Sequence, residues 1–225
     1  MASRTLYRWS GTILLIGGLL SLAASTLSAF LFPDNNPTPE ELSSTSWLVA
    51  EILLFAGLLL IVMGFIGSYV RHAARAGRLG FVGSLLLWLG VLLAEGFSVV
   101  RLTLWPYLAR LAPNALPSGG QGPVAGFLLW ILAPWLLLSL GSLLLGVAIL
   151  RSRVFPRWVG ILLLVAGVLS ILTFVLPPSG VGEILDPLSD GALFLALAWM
   201  GYTLIAGPKE SMAPQPAMAP TGQTE

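Results

Sequence analysis

The sequence predicts an all-α integral membrane protein, a compact bundle of six transmembrane helices. Of its 225 residues, 56% are hydrophobic and only 9% are charged, and the mean hydropathy is +0.91. Soluble domains carry about 25% charged residues, so this chain lacks the polar side chains to cover a water-facing surface. Apolar runs of membrane-spanning length recur along it, and the breaks between them are rich in Pro, Gly or Arg.

Six segments are long and apolar enough to cross a bilayer, because a hydrocarbon core about 30 Å thick needs about 20 residues of helix. We predict the spans at residues 11–32, 47–70, 79–105, 124–150, 157–176 and 188–206. Together they make one membrane domain, residues 1–206. Residues 207–225 have no apolar period, and we expect a short disordered cytoplasmic tail there.

The breaks between the spans contain residues that end helices or lie at membrane interfaces. They are residues 33–41, 71–78, 106–123, 151–157 and 177–187, and the last of these includes Glu183 and Asp186. We expect Pro106 to stop the third span, because proline lacks an amide donor and clashes with the preceding turn. Pro134 lies in the middle of the fourth span, where it predicts a kink and a candidate hinge, although proline is also common in static membrane helices.

The basic residues predict the orientation of the chain. If six spans alternate, nine of the eleven Lys and Arg residues fall on one side: Arg4, Arg8, Arg71, Arg75, Arg78, Arg151, Arg153, Arg157 and Lys209. The positive-inside rule assigns that side to the cytoplasm, so both termini are predicted to be cytoplasmic. The first span also resembles a cleaved signal peptide, an alternative that leaves the orientation of the other spans unchanged.

The composition also excludes several kinds of catalytic and metal site. The chain has no Cys and one His, His72, which removes thiolate chemistry and paired-imidazole haem or zinc sites. The net charge of +1 argues against nucleic acid as a partner, and no intramembrane protease or nucleotide-binding motif is present. We therefore expect no enzyme, cofactor or metal. The Arg-rich loop that contains His72 is interpreted as an orientation signal that lies over anionic headgroups. A role of His72 as a pH sensor is supported by its residue type alone.

Small residues at helical spacing predict close helix contacts in lipid. Ala50, Gly57 and Gly64 share a face of span two, and Ser142 and Gly146 share a face of span four. We interpret them as contacts inside one bundle, with a homodimer or a second membrane protein as the alternative partner. The residues that open spans one and five, Arg8–Gly11 and Arg157–Gly160, match each other. This match indicates either a parallel internal repeat or two helices that each start at the cytoplasmic interface. Trp47, Trp105 and Trp158 lie near predicted span ends, as expected for an interfacial aromatic belt.

Ionisable groups inside spans are the candidate functional residues, because each costs about 2.5–3.5 kcal/mol at a helix centre. Glu51 lies just inside span two, and Glu95 lies about 24 Å along span three from the cytoplasmic side, so we expect the two at a similar depth. With Arg101 and Asp190 they form a predicted ion- or ligand-binding cluster near the outer side. In one interpretation the cluster only fixes helix register; in the other, a desolvated carboxylate binds a proton or a cation.

Two segments carry a resemblance to a family. Leu150–Gly160 contains a Pro-Arg-Trp-x-Gly turn, and Ala198–Leu204 contains Trp-x-Gly-Tyr-x-Leu. Over residues 140–206 the chain resembles multi-span bacterial membrane proteins of a domain-of-unknown-function family. The resemblance implies a bacterial inner-membrane location and about six helices, and carries over no functional residue.

The expected function is therefore non-enzymatic: a structural, accessory or small-ligand-binding membrane protein. The alternative is a small proton- or cation-coupled transporter that uses Glu95 with Glu51.

Overall fold

The computed structural model of the protein describes residues 2–32, 37–112, 125–176 and 181–207, and this part of the chain is helical with no strand. The helices are α1 (Ala2–Leu31), α2 (Pro39–Leu42), α3 (Thr45–Leu111), α4 (Ala125–Ser152), α5 (Arg157–Val175) and α6 (Val181–Ala206). Five helical segments of the described chain are long and apolar enough to cross a membrane, and α5 is a shorter apolar helix. The predicted helical membrane bundle is confirmed at that level. The predicted loops at 113–123 and 177–180, and the tail beyond 207, lie outside the described residues.

The long helix α3 is two antiparallel membrane segments joined at one glycine. Gly77 has φ 59° and ψ −162°, a conformation that side chains with a Cβ rarely adopt. It separates a first arm, Thr45–Arg71, from a second arm, Gly77–Leu111. The arms lie side by side, because Trp88 Nε1 of the second arm donates a hydrogen bond to the Val62 carbonyl of the first at 3.2 Å.

The helices form a ring in chain order. The first arm of α3 packs on α1, the second arm packs on α4, and α4, α5 and α6 follow in turn until α6 meets α1. The largest side chains that fill the ring are apolar and almost completely buried: Leu14, Ile61, Leu87, Leu145, Ile149, Leu163, Leu197 and Met200. Nine serines and two glutamates, Glu51 and Glu95, are also buried among the described residues.

Small residues allow the helix backbones to approach closely, as the spacing predicts. Gly57 and Gly64 of the first arm face α1, and Gly146 faces Gly160 of α5. The contact with α1 also contains hydrogen bonds, because Ser10 Oγ donates to the Gly64 carbonyl at 2.6 Å. These positions are therefore occupied by contacts within the chain.

Two predicted helix boundaries are wrong. Pro106 does not stop the third span, because α3 continues through it to Leu111; membrane helices tolerate proline when the freed backbone groups find other partners. The last helix begins at Val181 and includes Pro187, so Asp186 lies in α6 and not in a loop. The acidic residues in its first turns lower the local hydropathy, and this concealed the helix start.

Arg71 joins the first arm of α3 to α6 and to Phe155. Its Nη1 donates to the Thr203 carbonyl in the last turn of α6 at 2.5 Å, and its guanidinium lies 5.5 Å from the centre of the Phe155 ring. A cation at this position satisfies a carbonyl that has no partner within its own helix. We call this end of the bundle, defined by Arg71, Phe155 and Thr203, the basic end.

Candidate functional site

An ion pair joins the two arms of α3 at the end of the bundle opposite the basic end. Arg101 Nη2 lies 2.6 Å from Glu51 Oε1, and the Glu51 side chain is 1% exposed while that of Arg101 is 27% exposed. Glu51 Oε2 and Arg101 Nε have no hydrogen-bond partner among the described residues. The pair therefore neutralises the two charges but leaves part of their hydrogen-bonding capacity unused.

Two tryptophans hold the Arg101 guanidinium in place. Its carbon lies 5.0 Å from the centre of the Trp47 ring and 5.6 Å from that of Trp105, and the two indoles stack on each other at 6.1 Å. Trp47 Nε1 also donates to the Arg101 carbonyl at 3.4 Å. Trp47 is only 2% exposed, so its indole ring packs inside the protein near the start of the first arm. It packs against Phe32 in a small second core.

A cavity of about 100 Å³ lies inside the ring next to this ion pair. We call it the central cavity. Its walls come from both arms of α3 and from α4 and α6: Leu54, Leu58, Val91, Ala94, Phe97, Ser98, Arg101, Pro134, Trp135, Leu138, Asp190, Leu193 and Phe194. The lining is mostly apolar, with polar atoms from Ser98, Arg101 and Asp190. The Ser98 hydroxyl is buried and has no partner among the described residues.

Carboxyl groups outnumber basic groups around the central cavity in the described part of the chain. Asp190 accepts a hydrogen bond from Ser25 of α1 and interacts electrostatically with both Asp186 and Arg101. Asp186, one turn earlier on α6, also interacts with Arg101. One guanidinium thus faces three carboxylates, those of Glu51, Asp186 and Asp190, within the described part of the site.

Hydroxyl groups extend the polar region from Asp190 toward α5. A small space of about 10 Å³ is lined by Asp190 and by four serines, Ser139, Ser142, Ser170 and Ser189. Ser139 and Ser170 share a hydrogen bond of 2.6 Å, and Ser189 donates to the Ala166 carbonyl at 2.9 Å. The volume matches roughly one water molecule.

Glu95 lies apart from this cluster. Its carboxyl oxygens are buried and have no hydrogen-bond partner among the described residues, and Glu95 is not among the residues that line the central cavity. Glu51 pairs with Arg101 across the arms, and Glu95 precedes Arg101 by six residues, about 9 Å of helix. The contacts of the described residues therefore join Glu51 to Arg101 and leave Glu95 outside the predicted cluster.

The structure brings together three of the four predicted site residues. Arg101 pairs with Glu51 and lines the central cavity with Asp190, and the hinge candidate Pro134 lies in the cavity wall. Sequence reasoning missed the part that Asp186 plays, although its spacing of four residues from Asp190 is a signal that both share one helix face. No group of three or more His, Cys, Asp or Glu residues that could hold a metal ion occurs in the described chain.

A second, larger space carries no such chemistry. It is a groove of about 160 Å³ between the two arms, toward the basic end, and its lining is almost entirely apolar, with Phe65, Tyr69, Phe81 and Trp88 among its residues. None of its lining residues carries a charge. The central cavity, which is smaller, is therefore the stronger candidate site.

Comparison of the chain with protein-family models, with curated proteins and with solved structures finds no match in any of the three.

Proposed function

We propose that the protein is a non-enzymatic, six-span bacterial inner-membrane protein that binds a small ligand in the central cavity, with both termini in the cytoplasm. The observation that carries this proposal is the pair of unpartnered polar groups in the cavity wall, Ser98 Oγ and Arg101 Nε. A buried donor or acceptor without a partner costs about 1–3 kcal/mol. A bound ligand that supplies the missing partners would offset that cost.

A purely structural role accounts for only part of the site. The ion pair between Glu51 and Arg101 fixes the register of the two arms, and the tryptophan contacts strengthen it. Register does not require an unfilled space beside the pair, nor an aspartate and a serine that face this space. These features are typical of a binding pocket, which has mostly apolar walls and a few polar groups that orient the ligand.

A variant that fills the cavity tests the proposal. Ala94 is partly buried and lines the cavity, whereas Ala23 of α1 is exposed, so Ala94→Phe and Ala23→Phe add the same atoms inside and outside the site. We expect small polar compounds from a screen to raise the Tm of the native protein and of Ala23→Phe in detergent, but not that of Ala94→Phe. A screen in which no compound acts, or in which all three proteins respond equally, would contradict the proposal.

A second candidate function, a proton- or cation-coupled transporter, is favoured by the two unpartnered oxygens of Glu95. Glu51, the second carboxylate of this transport hypothesis, forms an ion pair with Arg101. This ion pair argues against a joint ion site of Glu51 and Glu95. Proton or cation flux in proteoliposomes tests this function, with Glu95→Gln as the variant and Glu40→Gln, an exposed residue of α2, as the control. Flux that is lost only in Glu95→Gln would favour transport, and flux that is absent or unchanged would overturn it.

The proposed orientation has its own test. The clustering of basic residues toward one side of the six predicted spans supports cytoplasmic termini. We expect a fluorescent protein fused after Glu225 to be fluorescent, and alkaline phosphatase fused there to be inactive. The reverse result would place the C-terminus outside the cytoplasm.

A further inference from the structure

We infer that the ligand of the central cavity is a small primary ammonium ion, with its charged head at Asp190 and Ser98 and its apolar tail against the cavity wall. This inference rests on the proposed binding function and specifies the chemical class of the ligand. It follows from three properties of the described site: its charge, the distribution of its polar groups and its volume.

The charge of the site favours a cation. Arg101 is the obvious group to attract an anion, but its guanidinium already pairs with Glu51 at 2.6 Å and lies against two indole rings. Arg101 also interacts with Asp186 and Asp190, so one guanidinium is shared among three carboxyl groups, and Asp190 itself lies in the cavity wall. A bound cation would stabilise the ionised form of Asp190, whereas a bound anion would oppose it.

The polar groups suit an ammonium head. A primary ammonium group has three donors and no acceptor, and the wall offers the Asp190 carboxylate and the unpartnered Ser98 hydroxyl oxygen as acceptors. Aromatic rings of Phe97, Trp135 and Phe194 also line the cavity, and the faces of such rings attract cations. A metal ion fits less well, because it would require a larger set of oxygen ligands.

The remaining wall and the volume limit the tail. Leu54, Leu58, Val91 and Leu138 give an apolar lining, so the rest of the ligand is hydrocarbon. An apolar cavity of about 150 Å³ holds benzene, with six carbon atoms, so by proportion about 100 Å³ holds about four non-hydrogen atoms. Propylammonium has this size. A ligand of four such atoms binds no more tightly than about 0.04 mM, so its binding has to be measured at submillimolar to millimolar concentrations.

The experiment compares three molecules of similar size and different charge on the intact protein in detergent at neutral pH. Propylammonium, propanol and propionate are titrated, and binding is followed by ligand-observed NMR. We expect propylammonium to bind at least tenfold more tightly than either of the others. Asp190→Asn should reduce its affinity at least tenfold, and Ser98→Ala about threefold or more.

Matched controls separate the site from general effects of the substitutions. Glu40→Gln removes a carboxylate from the exposed helix α2, and Ser152→Ala removes another buried hydroxyl without a partner, at the far end of α4. Both variants should bind propylammonium as the native protein does. If Asp190→Asn does not fold, the comparison of the three ligands on the native protein still decides the ligand class.

Each other outcome has a definite meaning. Equal binding of propanol and propylammonium would overturn the ammonium class and leave the proposed binding function in place, as would preferred binding of propionate. If none of the three binds, the ligand class is overturned, and the cavity-filling screen with Ala94→Phe then decides whether the proposed function fails with it. Binding of propylammonium that persists unchanged in Asp190→Asn would also overturn the inference, because the cation would lie elsewhere.

Discussion

Removal of Arg101 should destabilise the protein more than removal of its partner Glu51. Arg101→Leu leaves the Glu51 carboxylate, only 1% exposed, without its cation. Breaking a buried ion pair in this way costs about 3–5 kcal/mol. Because the Arg101 side chain is 27% exposed, the pair is not fully buried, and we expect a smaller loss of about 2–4 kcal/mol.

Glu51→Gln should have a smaller effect. Arg101 then keeps its contacts with Trp47 and Trp105 and its interactions with Asp186 and Asp190. We expect this change to cost about 1 kcal/mol. The double variant contains no isolated charge at either position, so its cost should fall short of the sum of the single costs by about 2 kcal/mol.

The measurement is the free energy of unfolding from titration with a denaturing detergent in mixed micelles, followed by far-UV circular dichroism. A second cycle, Glu51→Gln with Arg71→Leu, joins residues at opposite ends of the bundle and should be additive within about 0.5 kcal/mol. The reasoning is wrong if the coupling of Glu51 and Arg101 is no larger than that of this distant pair, or if Arg101→Leu costs no more than Glu51→Gln.

Three further predictions concern packing, the basic end and the isolated carboxyl. A Cβ at Gly201 would lie 2.6 Å from a backbone oxygen of α1, whereas one at Gly191 would meet nothing closer than 3.9 Å. Gly201→Ala should therefore lower the Tm, while Gly191→Ala should leave the Tm unchanged or raise it, because alanine has a greater helix propensity than glycine. Equal effects of the two substitutions on the Tm would contradict the close contact at Gly201. Arg71→Leu should cost about 1–2 kcal/mol of unfolding free energy through the lost hydrogen bond to α6, and no measurable loss would show that the bond contributes little. A hydrophobic carbodiimide should modify Glu95 faster than Glu51, because Arg101 pairs with one oxygen of Glu51 while both Glu95 oxygens are unpartnered among the described residues. Mass spectrometry of the labelled peptides measures the two rates. Faster labelling of Glu51 would place Glu95 in contact with a charged group.

The fold class could be predicted because a chain with few charged residues and apolar runs of about 20 residues is suited to lipid and not to water. Helix ends were harder to predict where local chemistry and tertiary packing disagree. Pro106 carries a strong stop signal, yet the helix continues through it. The start of α6 was hidden because Glu183 and Asp186 make its first turns polar, and Asp186 interacts with Arg101 of another helix.

The candidate site could be predicted in part, because sequence position gives the approximate depth of a residue in the membrane. Depth alone was sufficient to group Glu51, Arg101 and Asp190 at one end. It does not give the direction in which a side chain points around its helix, and so it could not show that Glu95 makes none of the contacts that join Glu51 to Arg101. The cavity beside Ser98 depends on how four helices meet, which no single segment encodes.

The ring order of the helices has a consequence for how the protein is made. Each membrane segment packs against the one synthesised just before it, so helical hairpins can form one after another as the chain leaves the ribosome. The main exception is the contact between α6 and α1, which cannot form until α6 has been synthesised. Until then the glycine-lined face of α1 is open to the lipid, and Arg71 cannot reach its acceptor on α6. Closure of the ring is thus the step at which the nascent chain becomes one cooperative unit.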